Sequence, residues 1–291
     1  MKISLHLGAH LTDDDRLSRC MIKNRDLLAA HRIAVPGPGK YRELLRAATE
    51  RLQGERASAE TTAALLDDIL NLDGAERMVL SSPEFLGPRG WAIRDSALYP
   101  QAAEKLSGLR NLFPHHPVEA FIAVRNPATF MASLVQVAHD KARERILSTT
   151  TPADLRWSGV IEAMRTACPD VPVTLWCDED TPYLWNDILR VVSGHPDDVT
   201  LQHAYDWFAQ VMRPEGMELM LTWLDQHPPQ SEDQRRRIIS AFLDKFFDAE
   251  KVDVDLNLPG WTEELVEVLT ELYDQDVDQI RAMDGVRVLA P

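Results

Sequence analysis

Short apolar runs alternate with amphipathic helical patterns over the first two thirds of the chain, and this alternation constrains the fold most. The runs are residues 3–7, 78–82, 118–124 and 171–176, of which 118–124 is the strongest. The segments between them carry apolar residues at helical spacing. Strands that alternate with helices predict a three-layer α/β fold, in which a mostly parallel sheet is flanked by helices on both faces.

The pattern changes after about residue 199, where helical periodicity continues without a convincing strand. We expect an α/β core at residues 1–198 and a helical part at 199–291 packed on that core, with one single domain as the alternative. Residues 286–289 could form an edge strand or an extended tail. The predicted helices lie near residues 13–30, 40–53, 59–71, 101–113, 152–167, 184–192, 200–213, 215–226, 231–248 and 262–282.

The charge balance restricts the partners of the protein. The net charge is −15, from 31 basic and 46 acidic residues, which argues against nucleic acid and against an anionic membrane surface. No apolar run approaches the roughly 20 residues that span a bilayer. The scattered Cys20, Cys168 and Cys177 provide no disulfide framework, so we expect a cytoplasmic protein. The sequence leaves a small-molecule ligand as the expected partner and does not specify an oligomeric state.

The junction after the first apolar run combines a phosphate-site position with acidic chemistry. Gly8 allows a turn, Thr12 is placed to cap a helix, and Asp13, Asp14 and Asp15 follow. Such strand–glycine–helix junctions usually bind phosphate through free N–H groups. Here the carboxylates could instead stabilise their own helix N-terminus. A divalent cation is the alternative, but neighbouring Asp side chains on a helix diverge, so no metal site is predicted.

A second motif follows the strongest strand. Val124-Arg-Asn-Pro127 places Pro127 at a helix start, and Ser133 lies eight residues after Arg125. Together with the Gly8 junction, this motif resembles the sulfotransferase family that uses 3′-phosphoadenosine 5′-phosphosulfate (PAPS), over roughly residues 1–195. The resemblance implies a P-loop sulfotransferase fold.

The resemblance also implies specific donor contacts. Arg125 and Ser133 would hold the 3′-phosphate of PAPS, or of its desulfated product PAP, and an arginine fork suits that group. Gly8 and Thr12 would belong to the loop around the 5′-phosphosulfate. Arg125 could equally pair with an acid, and Ser133 could face the core.

The donor loop departs from the family pattern. Leu11 stands where the family has its catalytic lysine, and Asp13, Asp14 and Asp15 replace a glycine and two hydroxyl residues. A like-charge contact at about 4 Å costs about 1 to 4 kcal/mol, whereas a helix N-terminus returns only about 0.3 to 1 kcal/mol. PAPS or PAP would therefore bind weakly or not at all in the family pose.

Two functions follow from this conflict. The first is a sulfotransferase-like protein with a degenerate donor site, inactive or weak in sulfuryl transfer, with a binding or regulatory role. The alternative is an active sulfotransferase that moves a sulfuryl group from PAPS to a hydroxyl or amine acceptor. In that case His10, Arg16 or Arg89 would replace the lysine. His10 is a weak catalytic candidate, because a lone histidine is more often a satisfied polar group.

Two further segments could contribute to a site. The acidic residues 178–180 follow a strand end, where open α/β sheets bind ligands. They could take a substrate amine or hydroxyl, but capping of the next helix is the favoured interpretation. Residues 83–100 are rich in glycine, proline and aromatic residues and predict a long ordered loop, a common carrier of binding residues.

Overall fold

A computed structural model describes residues 1–291 and contains one six-stranded, all-parallel sheet. The order across the sheet is β2-β3-β1-β6-β7-β8, and a separate antiparallel hairpin is formed by β4 and β5. The predicted α/β class with a parallel sheet is therefore confirmed. The strands are β1 (Lys2–His6), β2 (Ile33–Ala34), β3 (Arg77–Ser81), β4 (Ile93–Arg94), β5 (Ala97–Leu98), β6 (Val118–Val124), β7 (Val173–Cys177) and β8 (Val286–Val288).

Helices cover both faces of the sheet, and none of the thirteen is long and apolar enough to cross a bilayer. Short 3₁₀ turns lie at Arg89–Trp91, Pro152–Asp154, Asp178–Asp180 and Ala204–Gln210. The helices are α1 (Arg16–Lys23), α2 (Arg25–Ala30), α3 (Pro38–Leu52), α4 (Ala59–Ile69), α5 (Ala102–Leu112), α6 (Pro127–Val137), α7 (Asp140–Thr149), α8 (Trp157–Ala167), α9 (Thr181–Ser193), α10 (Pro214–Gln226), α11 (Glu232–Phe246), α12 (Ala249–Val252) and α13 (Glu263–Arg281).

Three predicted segments differ from the structure. The helix predicted at 13–30 starts at Arg16 and is interrupted at Asn24, whose side-chain amide donates to the carbonyl oxygens of Cys20 (2.8 Å) and Gln202 (2.7 Å). The helix predicted at 200–213 is instead a 3₁₀ turn. The loop predicted at 83–100 contains the β4–β5 hairpin.

The side chains of the sheet alternate between two apolar cores. On β6, Ile122 and Val124 join one core, while Phe121 and Ala123 join the other. This period-two alternation buries both faces of the strand. The resulting arrangement is the predicted three-layer architecture of helices, sheet and helices.

Residues after 198 contribute to both cores. Tyr273 and Val277 of α13 pack into the first core, and Phe208 with Leu243 of α11 packs into the second. Residues Val286–Val288 pair in parallel with β7, so the edge-strand alternative is confirmed. The proposed division at residue 198 stays a prediction.

The strand order places the predicted site residues beside each other. β1 and β6 are parallel neighbours in the sheet. The chain leaves β1 towards β2 on one side and leaves β6 towards β7 on the other. Loops that diverge in this way open a crevice at the carboxyl edge, where open α/β sheets bind ligands. The loop that begins at Gly8 and the segment that begins at Arg125 both lie at this crevice.

Candidate functional site at the carboxyl edge of the sheet

Gly8 opens a tightly packed loop between β1 and α1. Its φ is +97°, and a Cβ there would lie 3.2 Å from the Cα of Pro83, so only glycine fits comfortably. Ala9 donates its N–H to the Ala123 carbonyl at 3.1 Å, which keeps the loop attached to β6. Leu11, Asp14 and Asp15 also have positive φ. The loop therefore follows an irregular path in place of the predicted early helix start.

The N-cap of α1 is Asp15, whose side chain makes no capping bond, and the predicted capping role of Thr12 is wrong. The Thr12 hydroxyl donates to the carbonyl oxygen of Ala9 at 2.9 Å. The Asp13 carboxylate accepts the N–H of Leu17 at 2.8 Å, although α1 begins only at Arg16. The left-handed backbone of Asp15, with φ 63°, delays the helix start past Thr12. The chain therefore still supplies its own side-chain acceptor to the helix N-terminus.

Asp15 forms a salt bridge with the side chain of Arg42. Its Oδ2 accepts from Arg42 Nη1 at 3.1 Å, and Oδ1 also accepts from the same guanidinium. Arg42 is fixed in turn by the Ser81 carbonyl oxygen, which accepts from Nη2 at 2.8 Å. The Arg42 hydrogen bond lowers the pKa of Asp15. This carboxylate is therefore already neutralised by a residue of α3 that no sequence motif indicated.

Arg125 is held by the loop between β1 and α1. Its Nη1 donates to the Leu11 carbonyl oxygen at 2.9 Å and its Nε to the Thr129 hydroxyl at 3.1 Å. Asp178 lies 3.9 Å from Nε, so the guanidinium also has an acidic neighbour. Ser133 is partly buried on α6 and makes no hydrogen bond with Arg125. The crevice thus brings Arg125 to Leu11, and no hydrogen bond joins Arg125 to Ser133.

Two carboxyl groups, Asp13 and Asp178, face one small cavity of about 10 Å³. Loss of solvation raises the pKa of Asp13 to about 7. Burial raises the pKa of Asp178 well above its usual range, against the opposing charge of Arg125 and with the added repulsion of Glu179 and Asp13. Both groups therefore favour the protonated form far more than exposed aspartates do.

The acidic segment 178–180 forms a 3₁₀ turn, and Asp180 occupies the N-cap position of α9, as the favoured capping interpretation requires. The Asp180 side chain, however, makes no capping hydrogen bond. Glu179 instead accepts the N–H of Asn126 at 2.8 Å and the hydroxyl of Tyr273 at 3.1 Å. This turn faces the crevice because β7 is the parallel neighbour of β6. Because β1, β6 and β7 are consecutive in the sheet, their carboxyl ends lie side by side. This strand order could have predicted from the sequence that Asp178 lies near Asp13.

His10 is buried and electrically neutral. The Tyr99 oxygen accepts the backbone N–H of His10 at 2.9 Å, and its only other hydrogen-bond partner is Nδ1 of the same residue at 2.8 Å, so the phenol proton is donated to Nδ1. The ring proton of His10 is then on Nε2, which is buried without a partner. Burial, with a smaller contribution from the charge of nearby Arg89, lowers the pKa of His10 to about 4. His10 therefore cannot replace a lysine as a cation at neutral pH.

The other candidate cations are placed differently. Arg16 donates to the Asp13 carbonyl oxygen at 3.3 Å and to the Asp14 carboxylate at 3.1 Å. Arg89 is exposed at the 3₁₀ turn of the 83–100 segment. No group of three or more His, Cys, Asp or Glu side chains is arranged to ligate a metal ion.

The crevice combines one internally bonded arginine, a carboxyl pair and a buried neutral histidine. Comparisons with protein-family models, with curated proteins and with solved structures found no match.

Proposed function

We propose that this chain is a sulfotransferase-like protein whose donor loop has become a self-contained structural loop. It does not transfer sulfuryl groups from PAPS, and its acidic crevice binds a small molecule that carries a hydroxyl or amine group. The observation that carries the proposal is the hydrogen bond from Arg125 to the Leu11 carbonyl oxygen at 2.9 Å. Arg125, which the resemblance assigns to phosphate binding, is thus hydrogen-bonded to Leu11, which stands at the position of the family's catalytic lysine.

The backbone N–H groups of the loop support this proposal. Binding of phosphate at a helix N-terminus requires N–H groups without protein partners. Here the N–H of Arg16 donates to the Asp13 carbonyl oxygen at 3.0 Å, and the N–H of Leu17 donates to the Asp13 carboxylate. An incoming phosphosulfate would have to displace these internal acceptors.

The charges at the crevice support the same conclusion. Leu11 offers no cation to stabilise the bridging oxygen that becomes negative during sulfuryl transfer. Arg42 is neutralised by Asp15, and Arg125 has Asp178 as its neighbour. Exposed Asp14 and Glu179 add negative potential at the same edge. Such a surface attracts amine and hydroxyl donors and repels a polyanion.

Calorimetric titration with PAP tests the proposal. We expect no binding heat from the wild-type protein at millimolar PAP. The matched comparison is Arg125→Ala against Arg46→Ala, because Arg46 is an exposed arginine on α3 that pairs only with Glu43 and Glu50. Micromolar binding that disappears in Arg125→Ala and persists in Arg46→Ala would show a working donor site and refute the proposal.

A restored loop provides the positive arm of the same test. The variant combines Leu11→Lys with Asp13→Gly, Asp14→Thr and Asp15→Thr, which recreates the family pattern. PAP affinity should rise by at least about tenfold, because a lysine and free N–H groups replace three carboxylates. The control keeps Leu11 and carries only the three aspartate changes. If neither variant gains affinity, the assumed donor position is wrong.

The active sulfotransferase remains a second candidate because of His10. Its Nε2–H lies at the carboxyl edge of β1 without a partner, next to exposed Arg89. A neutral imidazole can donate a hydrogen bond to a developing oxyanion. Release of PAP from PAPS in the presence of mixed hydroxyl and amine acceptors would favour this candidate if it were lost in His10→Gln. Absence of PAP release from the wild-type protein would eliminate it.

A further inference from the structure

A small cavity lies beneath the β1–α1 loop, between this loop, the turn after β7 and the 3₁₀ turn Ala204–Gln210. Its volume of about 10 Å³ is close to the minimum that accommodates one water molecule. Polar side chains form one part of its wall and indole rings form much of the rest. The cavity is lined by Thr12, Asp13, Leu17, Ala123, Trp176, Asp178, Thr181, Trp185 and Trp207.

One of these indoles lacks a hydrogen-bond partner. Trp207 is 7% exposed, and its Nε1 is buried with no acceptor in the protein. Trp185 stacks on it with ring centroids 5.6 Å apart, but its own Nε1 donates to the Ala204 carbonyl oxygen at 2.7 Å. Buried N–H groups in folded proteins almost always have an acceptor. The unpaired donor of Trp207 therefore indicates a molecule that the protein chain itself does not supply.

The opposite wall restricts the chemistry of that molecule. Asp13 uses Oδ1 for the Leu17 N–H, and Asp178 has only distant neighbours, Thr181 at 3.5 Å and Arg125 at 3.9 Å. Both carboxyl groups can therefore accept further hydrogen bonds. A metal cation could not accept from the Trp207 N–H, and a cavity of about 10 Å³ has no room for a polyatomic anion. The occupant must both accept and donate hydrogen bonds, and it must be as small as water.

We propose that this cavity is a binding site for one ordered water, which accepts from Trp207 Nε1 and donates to Asp13 and Asp178. The water joins Asp13 of the β1–α1 loop to Asp178 of the turn after β7, and Asp178 is the acidic neighbour of Arg125. This site does not depend on the proposed function, because the water would be held by side chains of the folded chain without any contact to PAPS. A buried water with three polar partners is a normal part of a folded protein.

A high-resolution crystal structure of the full chain gives the direct test. We expect one spherical density peak within hydrogen-bond distance of Trp207 Nε1 and of at least one of the two carboxyl groups. The same crystals of Trp207→Phe, which keeps an aromatic ring and removes the N–H, should show this peak lost or displaced. An empty cavity in the wild-type protein, or an ion identified by anomalous scattering, would overturn the proposal.

Nuclear magnetic resonance provides a second test, which uses only the wild-type protein and so does not depend on whether a variant folds. In the ¹⁵N-labelled wild-type protein, the Trp207 indole proton should give a cross-peak to a long-lived water. The Trp185 indole proton is the internal control, because it is already bonded to Ala204 and should give none. A missing cross-peak at Trp207, or one of equal strength at Trp185, would contradict the proposed site.

Discussion

The guanidinium of Arg125 donates a hydrogen bond to the backbone carbonyl oxygen of Leu11 at 2.9 Å. One residue follows β6 and the other follows β1, so the bond joins the two segments that flank the crevice. A ligand anion and the Leu11 carbonyl cannot both use the same Nη1 proton. An anion that binds this N–H of Arg125 would therefore remove a hydrogen bond that stabilises the loop.

Arg125→Ala should destabilise the protein by about 1 to 3 kcal/mol, because the Leu11 carbonyl loses a partner and Asp178 loses its cationic neighbour. Arg125→Lys should recover only part of this loss, since lysine lacks the planar fork that reaches Leu11 and Thr129 together. Urea unfolding monitored by tryptophan fluorescence measures both. Arg46→Ala on the exposed face of α3 should remain near the wild-type stability, and an equal loss there would remove the link to the crevice.

Asp276→Ala should destabilise the protein by about 1 to 3 kcal/mol, because two N–H groups at the start of α8 lose their acceptor. The buried Asp276 carboxylate accepts from Trp157 N at 2.6 Å and from Ser158 N at 3.1 Å. Asp274→Ala is the matched control, since Asp274 is exposed on the same helix. The two variants can be compared by urea unfolding. Similar stability of both would show that the α8 cap contributes little.

Asp13→Asn should remove a pH dependence from the stability of the protein. The pKa of Asp13 is about 7 in the folded state and 3.8 when unperturbed, so the folded state binds an extra proton between these values. Stability from this group is present below about pH 4 and is lost as pH rises towards 7. The wild-type unfolding free energy should therefore fall with pH by up to about 1.4 kcal/mol per unit relative to Asp13→Asn.

Unfolding titrations at several pH values between 4 and 7.5 check this prediction. The exposed Asp14→Asn provides the control on the same loop, and it should follow the wild-type curve. Parallel curves for the wild-type protein and Asp13→Asn would show that Asp13 ionises normally and that the carboxyl pair is not desolvated.

The buried histidines should give the opposite pH dependence. Burial lowers the pKa of His6, His10 and His195 to about 4, below the unperturbed 6.5. The unfolded state binds more protons in this window, so stability is lost as pH falls from 6.5 towards 4. His195 lies away from the crevice, with its Nδ1 at Ser193 Oγ. His195→Asn should reduce the acid slope by about 1.4 kcal/mol per pH unit.

His115→Asn is the control for this prediction, because His115 is exposed on the turn before β6. Unfolding free energies measured at pH 4.5, 5.5 and 6.5 would separate the two variants. If His195→Asn retains the wild-type slope, then protonation of buried histidine does not drive the acid instability of the fold.

Features determined by local sequence were predictable. The apolar period of β6 and the proline at the first position of α6 gave both elements at their observed places. The positions of Arg125 and Gly8 at one sheet edge also followed, because consecutive strand–helix units place strand ends together.

Features determined by distant contacts were not predictable. The interruption at Asn24 depends on Gln202, which lies 178 positions further along the chain. The internal partner of Asp15 is Arg42 on α3, and no spacing rule connects these two residues. The shift of the N-cap from Thr12 to Asp15 depends on left-handed backbone at Asp14 and Asp15, which non-glycine residues adopt infrequently.

The pairing of β8 with β7 has a consequence for protein synthesis. The two strands are neighbours in the sheet but are separated by more than one hundred residues of chain. At roughly 5 to 20 residues per second, the ribosome needs several seconds to supply the partner of β7. During that time β7 presents an open strand edge, which is a template for pairing with other chains. A nascent chain of this protein is therefore most prone to aggregate between the completion of β7 and the arrival of β8.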